Sequence, residues 1–163
     1  MPPTEKSLSE LITLRPRFLR SVNLERDFYA SDALDGYYPT ASVRSALNLL
    51  SRAAAEPAYR AQSLTGPYGS GKSALALVFA RLCSGDNSPA AQRLRKALGP
   101  VASSIPESRH LPILAIGSRE SLGRCLAQSL RSSLEKAGQT KLLSRLMDTH
   151  KRVFNSQSPP TRG

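Results

Sequence analysis

The spacing of apolar residues predicts an amphipathic helix in the first third of the chain. Apolar side chains recur there at the i, i+3, i+4, i+7 and i+11 positions of one helix face, at Val43, Ala46, Leu47, Leu50 and Ala54. Thr40 is the predicted N-cap, because its hydroxyl oxygen suits the N–H groups of a first turn, and Pro57 marks the far end. Residues 1–38 contain only a short amphipathic stretch, which Pro16 breaks, and are interpreted as an irregular or helical N-terminal extension.

Further helices are predicted downstream. Residues 73–82 are apolar almost all round, which is typical of a helix buried on more than one face. A short basic helix over 90–98 ends at Gly99, and residues 101–110 are interpreted as a linker rich in Ser and Pro. Two amphipathic helices follow, with apolar stripes at Leu122, Leu126, Leu130 and Leu134 and at Leu142, Leu143, Leu146, Met147 and Val153. The polar tail 156–163 is expected to be disordered.

Two short segments are predicted to be strands. Residues 112–116 form a continuous apolar run, which suits a parallel sheet covered on both faces. Residues 61–65 have poor strand propensity, with only Leu64 strongly apolar, and are assigned to a strand because of the loop that follows them. The order helix–strand–loop–helix–strand–helix favours an α/β fold with parallel strands, and the domain is expected to cover residues 39–155.

The segment between the first predicted strand and the buried helix has the most specific chemistry in the chain. Residues 66–73, here called the glycine loop, match the pattern G-x-x-x-x-G-K-[ST]. Glycines let the main chain approach phosphate oxygens, and successive N–H groups form a phosphate cradle at the positive end of the next helix. Lys72 is expected to reach the β- and γ-phosphates, and the Ser73 hydroxyl to ligate Mg²⁺. The predicted ligands are a nucleoside triphosphate, taken as ATP, and Mg²⁺, held by Gly66, Pro67, Tyr68, Gly69, Ser70, Gly71, Lys72 and Ser73.

The stretch GPYGSGKSALALVF, which begins with the glycine loop, resembles the Walker A segment of P-loop NTPases. The predicted helix ahead of it further resembles the helix that precedes the first strand in AAA+ and STAND-type ATPases. The segment FLRSVNLERDF resembles the opening of large bacterial ATPases, some of them linked to phage defence. The resemblance implies a partial P-loop NTPase sheet flanked by helices, in the N-terminal part of an ATPase that couples ATP binding to conformational change.

The resemblance also implies an acidic residue at the end of a second strand, and neither carboxylate considered for this role fits it. Glu120 lies too far beyond residues 112–116, and Asp148 falls on a helical stripe. Catalytic residues therefore stay unassigned, little hydrolysis is expected, and the chain is interpreted as a truncated ATPase core. The alternatives are a small P-loop kinase and a basic interaction module associated with nucleic acid.

The distribution of charge along the chain indicates a second class of partner, a polyanion. The net charge is +11, and it is uneven: residues 66–163 contain 15 Lys/Arg and 5 Asp/Glu, whereas residues 1–65 contain 8 and 7. A basic half fits a polyanion, so nucleic acid is retained as a partner beside the nucleotide. Because two strands leave sheet edges unpaired, a protein partner or self-association is also expected.

The location expected from the sequence is cytoplasmic, with no membrane partner. No apolar run approaches the roughly 20 residues that span a bilayer, and the N-terminus lacks the apolar stretch of a secretory signal. Cys83 and Cys125 are far apart and have no neighbouring Cys or His at a metal-site spacing, which favours two reduced, half-buried thiols.

Overall fold

The computed structural model of the chain describes residue 7 and residues 21–106, 110–117 and 119–155. Regular structure in these ranges is helical, and it includes one short 3-10 helix, Pro57–Tyr59. The α-helices are α1 (Leu24–Asp27), α2 (Ala41–Ala55), α3 (Lys72–Cys83), α4 (Pro89–Leu98), α5 (Pro100–Ser104), α6 (Leu122–Lys136) and α7 (Thr140–Asn155).

The predicted α/β fold with a parallel sheet is wrong, because no residue in the described ranges belongs to a β-strand. Residues 61–65 and 112–116 both lie in segments without regular secondary structure. A strand needs a hydrogen-bonded neighbour as well as a suitable composition, and apolar content alone does not supply that neighbour. Instead, the N–H of His110, two residues before the second segment, donates to the carbonyl oxygen of Cys83 at the end of α3 at 2.9 Å.

The helix predictions are largely confirmed. Thr40 caps α2, since its hydroxyl oxygen accepts a hydrogen bond from the N–H of Val43 at 3.4 Å, and the helix ends two residues before Pro57. The buried helix, the short basic helix and the two later amphipathic helices are α3, α4, α6 and α7. The predicted tail 156–163 and most of residues 1–20 lie outside the described residues.

The linker predicted over residues 101–110 is wrong in its first part. Residues Pro100–Ser104 form α5, because a proline at the first helical position costs no hydrogen bond and has a favourable φ. Ile105, directly after this helix, is 1% exposed and joins the core. Residues 107–109 of the predicted linker lie outside the described residues.

The core lies around α3, which packs against α1 and α2, while α5 packs against both α2 and α4. Apolar side chains from these helices and from the neighbouring turns form one buried cluster: Leu34, Leu47, Leu75, Val78, Leu82, Cys83, Ala90, Ala91, Leu94, Leu98 and Ile105. Helices α6 and α7 pack against each other. Four side chains of α3, from Leu75 to Cys83, belong to this cluster, and the glycine loop joins the N-terminus of α3.

Three arginines further connect these helices through carbonyl groups at helix C-termini. Arg44 of α2 donates to the carbonyl oxygen of Ala97 in the last turn of α4. Arg95 of α4 donates to Leu82 O at 2.8 Å in the last turn of α3, and Arg81 of α3 donates at 2.7 Å to the carbonyl oxygen of Phe28, the C-cap of α1. Carbonyl groups in the last turn of a helix have no intrahelical donor and carry partial negative charge, so these guanidinium groups stabilise the helix ends.

None of the helices in the described ranges is long and apolar enough to cross a membrane.

Candidate phosphate-binding loop

The backbone of the glycine loop leads directly into the N-terminus of α3. Gly71 is the N-cap, with a φ of 82° in the left-handed region, and no side chain caps this helix end. The side chains of Asn23, Thr40 and Ser88 cap α1, α2 and α4, whereas α5 and α6, like α3, begin without a side-chain cap. The first hydrogen bond of α3 runs from Leu75 N to Gly71 O at 2.9 Å. Helix geometry therefore leaves the N–H groups of residues 71–74 without intrahelical acceptors.

Lys72 turns back across this loop. Its ammonium donates to the carbonyl oxygens of Gly66 at 2.9 Å and Pro67 at 2.7 Å, and it lies 3.4 Å from the hydroxyl oxygen of Ser70. The N–H of Ser70 also donates weakly to Pro67 O at 3.4 Å. These contacts close residues 66–72 into a compact loop around one cation.

The other predicted side chains differ in their exposure. Tyr68 is 96% exposed, and its hydroxyl lies 3.4 Å from that of Ser21. Ser73 is exposed on the first turn of α3. Gly69 has a φ of 80°, which favours glycine there, and an added Cβ would meet no neighbouring atom. The structure thus brings residues 66–73 together at one helix end, with Lys72 at the centre and Tyr68 at the rim.

A groove of about 360 Å³ runs between the glycine loop and α2. Its apolar wall is formed by Val43, Ala46 and Leu75, and Tyr37 lies at one side. Burial raises the pKa of the Tyr37 phenol above its ordinary value, so the hydroxyl stays protonated and able to donate. Sequence reasoning missed this wall as part of a site. The signal was present in the apolar stripe of α2, where Val43 and Ala46 appeared only as core positions.

The groove offers several donors and no carboxylate among the described residues that line it. Within the described ranges, no three His, Cys, Asp or Glu side chains come together as a metal site. Of the two carboxylates considered in the sequence, Glu120 is exposed ahead of α6, and Asp148 lines a separate depression with Arg131 and Glu135. Neither belongs to the lining of this groove.

Two larger cavities, of about 390 and 620 Å³, lie away from the glycine loop. Their volumes alone would favour them as ligand sites, but neither is lined by Gly71, at the uncapped helix end, or by Lys72. The uncapped helix end at Gly71 and the Lys72 side chain, which are the groups suited to phosphate, both line the smaller groove, and that groove is therefore the candidate site.

The identification of the chain as a P-loop NTPase of the AAA+/STAND type is wrong, because the described residues form helices without the parallel sheet of that family. Comparisons with known protein families, with curated proteins and with solved structures find no match to this chain.

Proposed function

We propose that the glycine loop binds the triphosphate of a nucleotide, ATP with Mg²⁺, on the N-terminus of α3. One observation supports this most strongly: Gly71 begins the helix without a side-chain cap, and the Lys72 ammonium lies across the same loop. A helix N-terminus with free N–H groups and a neighbouring cation attracts anions through both hydrogen bonds and charge. The proposal concerns this local arrangement and does not depend on a parallel sheet.

Binding would begin with an exchange of partners for Lys72. Its ammonium now donates to two neutral carbonyl oxygens, from Gly66 and Pro67. Charge-assisted bonds to phosphate oxygens are roughly twice as strong as neutral ones, so an arriving polyphosphate competes well for this cation. Released from Lys72, the loop can turn its N–H groups of residues 69–74 toward the ligand.

The remaining parts of the nucleotide have matching surfaces. The exposed hydroxyl of Ser73 is available to a magnesium ion that keeps most of its water and phosphate ligands. The apolar wall of Val43, Ala46 and Leu75 offers a surface to a base or ribose, and Tyr37, which also lines the groove, offers a hydroxyl donor. The proposal covers binding, and it assigns no residue to hydrolysis.

Calorimetric titration of Mg-ATP into three forms of the chain tests this proposal. Lys72→Ala is expected to weaken binding by at least about tenfold, since it removes the only ammonium in the groove's described lining. Lys96→Ala is the matched control, because Lys96 is an exposed lysine on α4, away from the groove. Equal affinity in all three forms would contradict the proposal.

Salt dependence then separates a nucleotide site from a general polyanion surface. Binding to a DNA backbone weakens steeply with salt in proportion to the number of phosphates contacted. We expect Mg-ATP binding to keep its dependence on Lys72 at two salt concentrations. A chain that binds duplex DNA strongly at low salt, and ATP only as a weak competitor, would be a nucleic-acid-associated module instead.

A further inference from the structure

A second cavity, of about 390 Å³, lies between α1, the segment before α6, and α6 itself. One of its walls is the face of α6 that has small and polar side chains. The sulfhydryl of Cys125 donates to Ile116 O at 3.3 Å, which holds that segment against the helix. The cavity lining includes Glu25, Tyr29, Ser129, Ser133 and Lys136.

Two buried hydroxyl groups in this wall have no hydrogen-bond partner in the part of the chain that the structure describes. Ser129 is 8% exposed and Ser133 is 3% exposed, and both line the cavity. A buried serine in a helix can donate its hydroxyl to a carbonyl oxygen of the preceding turn, as Ser51 does to Leu47 O at 2.7 Å. Because buried polar groups are nearly always paired, two unpaired hydroxyls facing one cavity indicate a polar occupant.

The same cavity contains one group of each charge. Glu25 of α1 and Lys136 of α6 are solvent-exposed residues that line its open side, and neither forms an ion pair among the described residues. The Lys136 ammonium lies 4.0 Å from the centre of the Tyr29 ring, which positions it at the cavity while leaving its N–H donors available. The lining is thus balanced in charge and rich in groups that both donate and accept.

We propose that this cavity binds a small zwitterion of the α-amino-acid class, with its ammonium toward Glu25 and its carboxylate toward Lys136 and the serine hydroxyls. A simple anion would pair with Lys136 but would be repelled by Glu25. A neutral polyol would satisfy the hydroxyls and leave both charges unpaired. The half-buried side chain of Leu114 and that of Ile116 border the same space, which favours a ligand with a small apolar side chain. The volume lies at the lower end of the range for small-molecule sites.

The test uses L-leucine and three analogues, followed through the backbone amide signals of α6 in ¹⁵N–¹H NMR titrations of the whole chain. 4-Methylpentanoate retains the carboxylate alone, isopentylamine retains the ammonium alone, and N-acetyl-L-leucinamide retains neither charge. We expect saturable shifts with L-leucine and binding at least about tenfold weaker for each analogue, because each loses one or both charge pairs.

Three variants extend the test to the protein side. Glu25→Gln and Lys136→Gln are each expected to weaken L-leucine binding by about tenfold or more, and Ser133→Ala by several-fold. Ser51→Ala is the matched control, since Ser51 is a buried serine bonded within α2 and away from the cavity. Absence of saturable shifts with wild-type protein up to about 50 mM L-leucine overturns the proposal. Binding of 4-methylpentanoate as tight as that of L-leucine, or affinities for L-leucine unchanged in both charge variants, overturns it as well.

Discussion

The side-chain nitrogen of Lys72 lies 2.7 Å from the carbonyl oxygen of Pro67, five residues earlier in the same loop. The cation proposed to bind phosphate thus holds the loop closed in the structure. Neutral carbonyl acceptors keep Lys72 in place without competing strongly against a charged ligand. The side chain that closes the loop is therefore the same one that the ligand would recruit.

The first prediction concerns Ser73. If its hydroxyl ligates magnesium, Ser73→Ala should reduce the gain in ATP affinity produced by Mg²⁺ while leaving metal-free binding nearly unchanged. Affinities measured with and without Mg²⁺ in both forms give this difference directly. Ser42→Ala, a serine that also borders the groove but lies on α2, is the control. A magnesium effect that is the same in wild type and Ser73→Ala would contradict the assignment.

The second prediction compares two arginine–aspartate pairs. Arg81 contacts Asp86 at 2.5 Å, with side-chain exposures of 16% and 8%, whereas Arg93 contacts Asp35 at 3.4 Å with exposures of 71% and 39%. Removing one partner of a mostly buried pair leaves a buried charge, so Arg81→Ala should lower the free energy of unfolding by about 3 kcal/mol. Arg93→Ala should cost about 0–0.5 kcal/mol, because exposed pairs contribute little. Urea unfolding of both variants gives the comparison, and equal losses would contradict it.

The third prediction is the pH dependence that Asp86 contributes. Burial would raise the pKa of its carboxyl, but the N–H and hydroxyl of Ser88 and the guanidinium of Arg81 together lower it below the ordinary value. A carboxyl with a lower pKa in the folded state adds stability above its unfolded pKa, and this stability is lost as the pH falls. We expect the wild type to lose more stability than Asp86→Asn between about pH 5 and pH 3. The free energy of unfolding of both forms, measured by urea unfolding at several pH values, gives the comparison. Equal losses in the two forms over that range would contradict the assignment.

The fourth prediction concerns the two thiols, both of which are free. Burial raises the pKa of Cys83 to about 11, with a smaller opposite effect from Arg95. Because the thiolate is the reactive form, a thiol reagent at about pH 8 should modify half-buried Cys125 first and Cys83 only when the chain unfolds. Mass spectrometry of partly labelled protein, with Cys125→Ser as the control, identifies the order. Faster labelling of Cys83 would show that its surroundings open in the folded state.

The helices could be predicted because their signals are local. Thr40 and the apolar stripe of α2 specify that helix within a few turns, and the dense apolar run after Lys72 specifies α3. The sheet could not be predicted in the same way, since strand pairing depends on a neighbour distant in sequence. The apolar run at 112–116 resembled a buried strand, but among its five residues Ile113 and Ile116 are 46% and 38% exposed.

The glycine loop of the candidate site could be predicted from the sequence, whereas the walls around it could not. The glycine loop is a local motif, and its position before α3 agrees with the sequence. The groove wall from α2, and the cavity with Ser129 and Ser133, arise only when separate helices come together. Single side chains such as Glu25 and Lys136 carry no pattern in the sequence that would connect them.

The most direct test of the central claim is a ¹⁵N–¹H NMR titration of the chain with Mg-ATP. If the triphosphate lies on the N-terminus of α3, the largest amide shifts should appear at residues 69–74, whose N–H groups contact it, and should be lost in Lys72→Ala. Shifts spread over the basic residues of α4 and α6 and unchanged in Lys72→Ala, or no shift at residues 69–74, would contradict phosphate binding by the glycine loop.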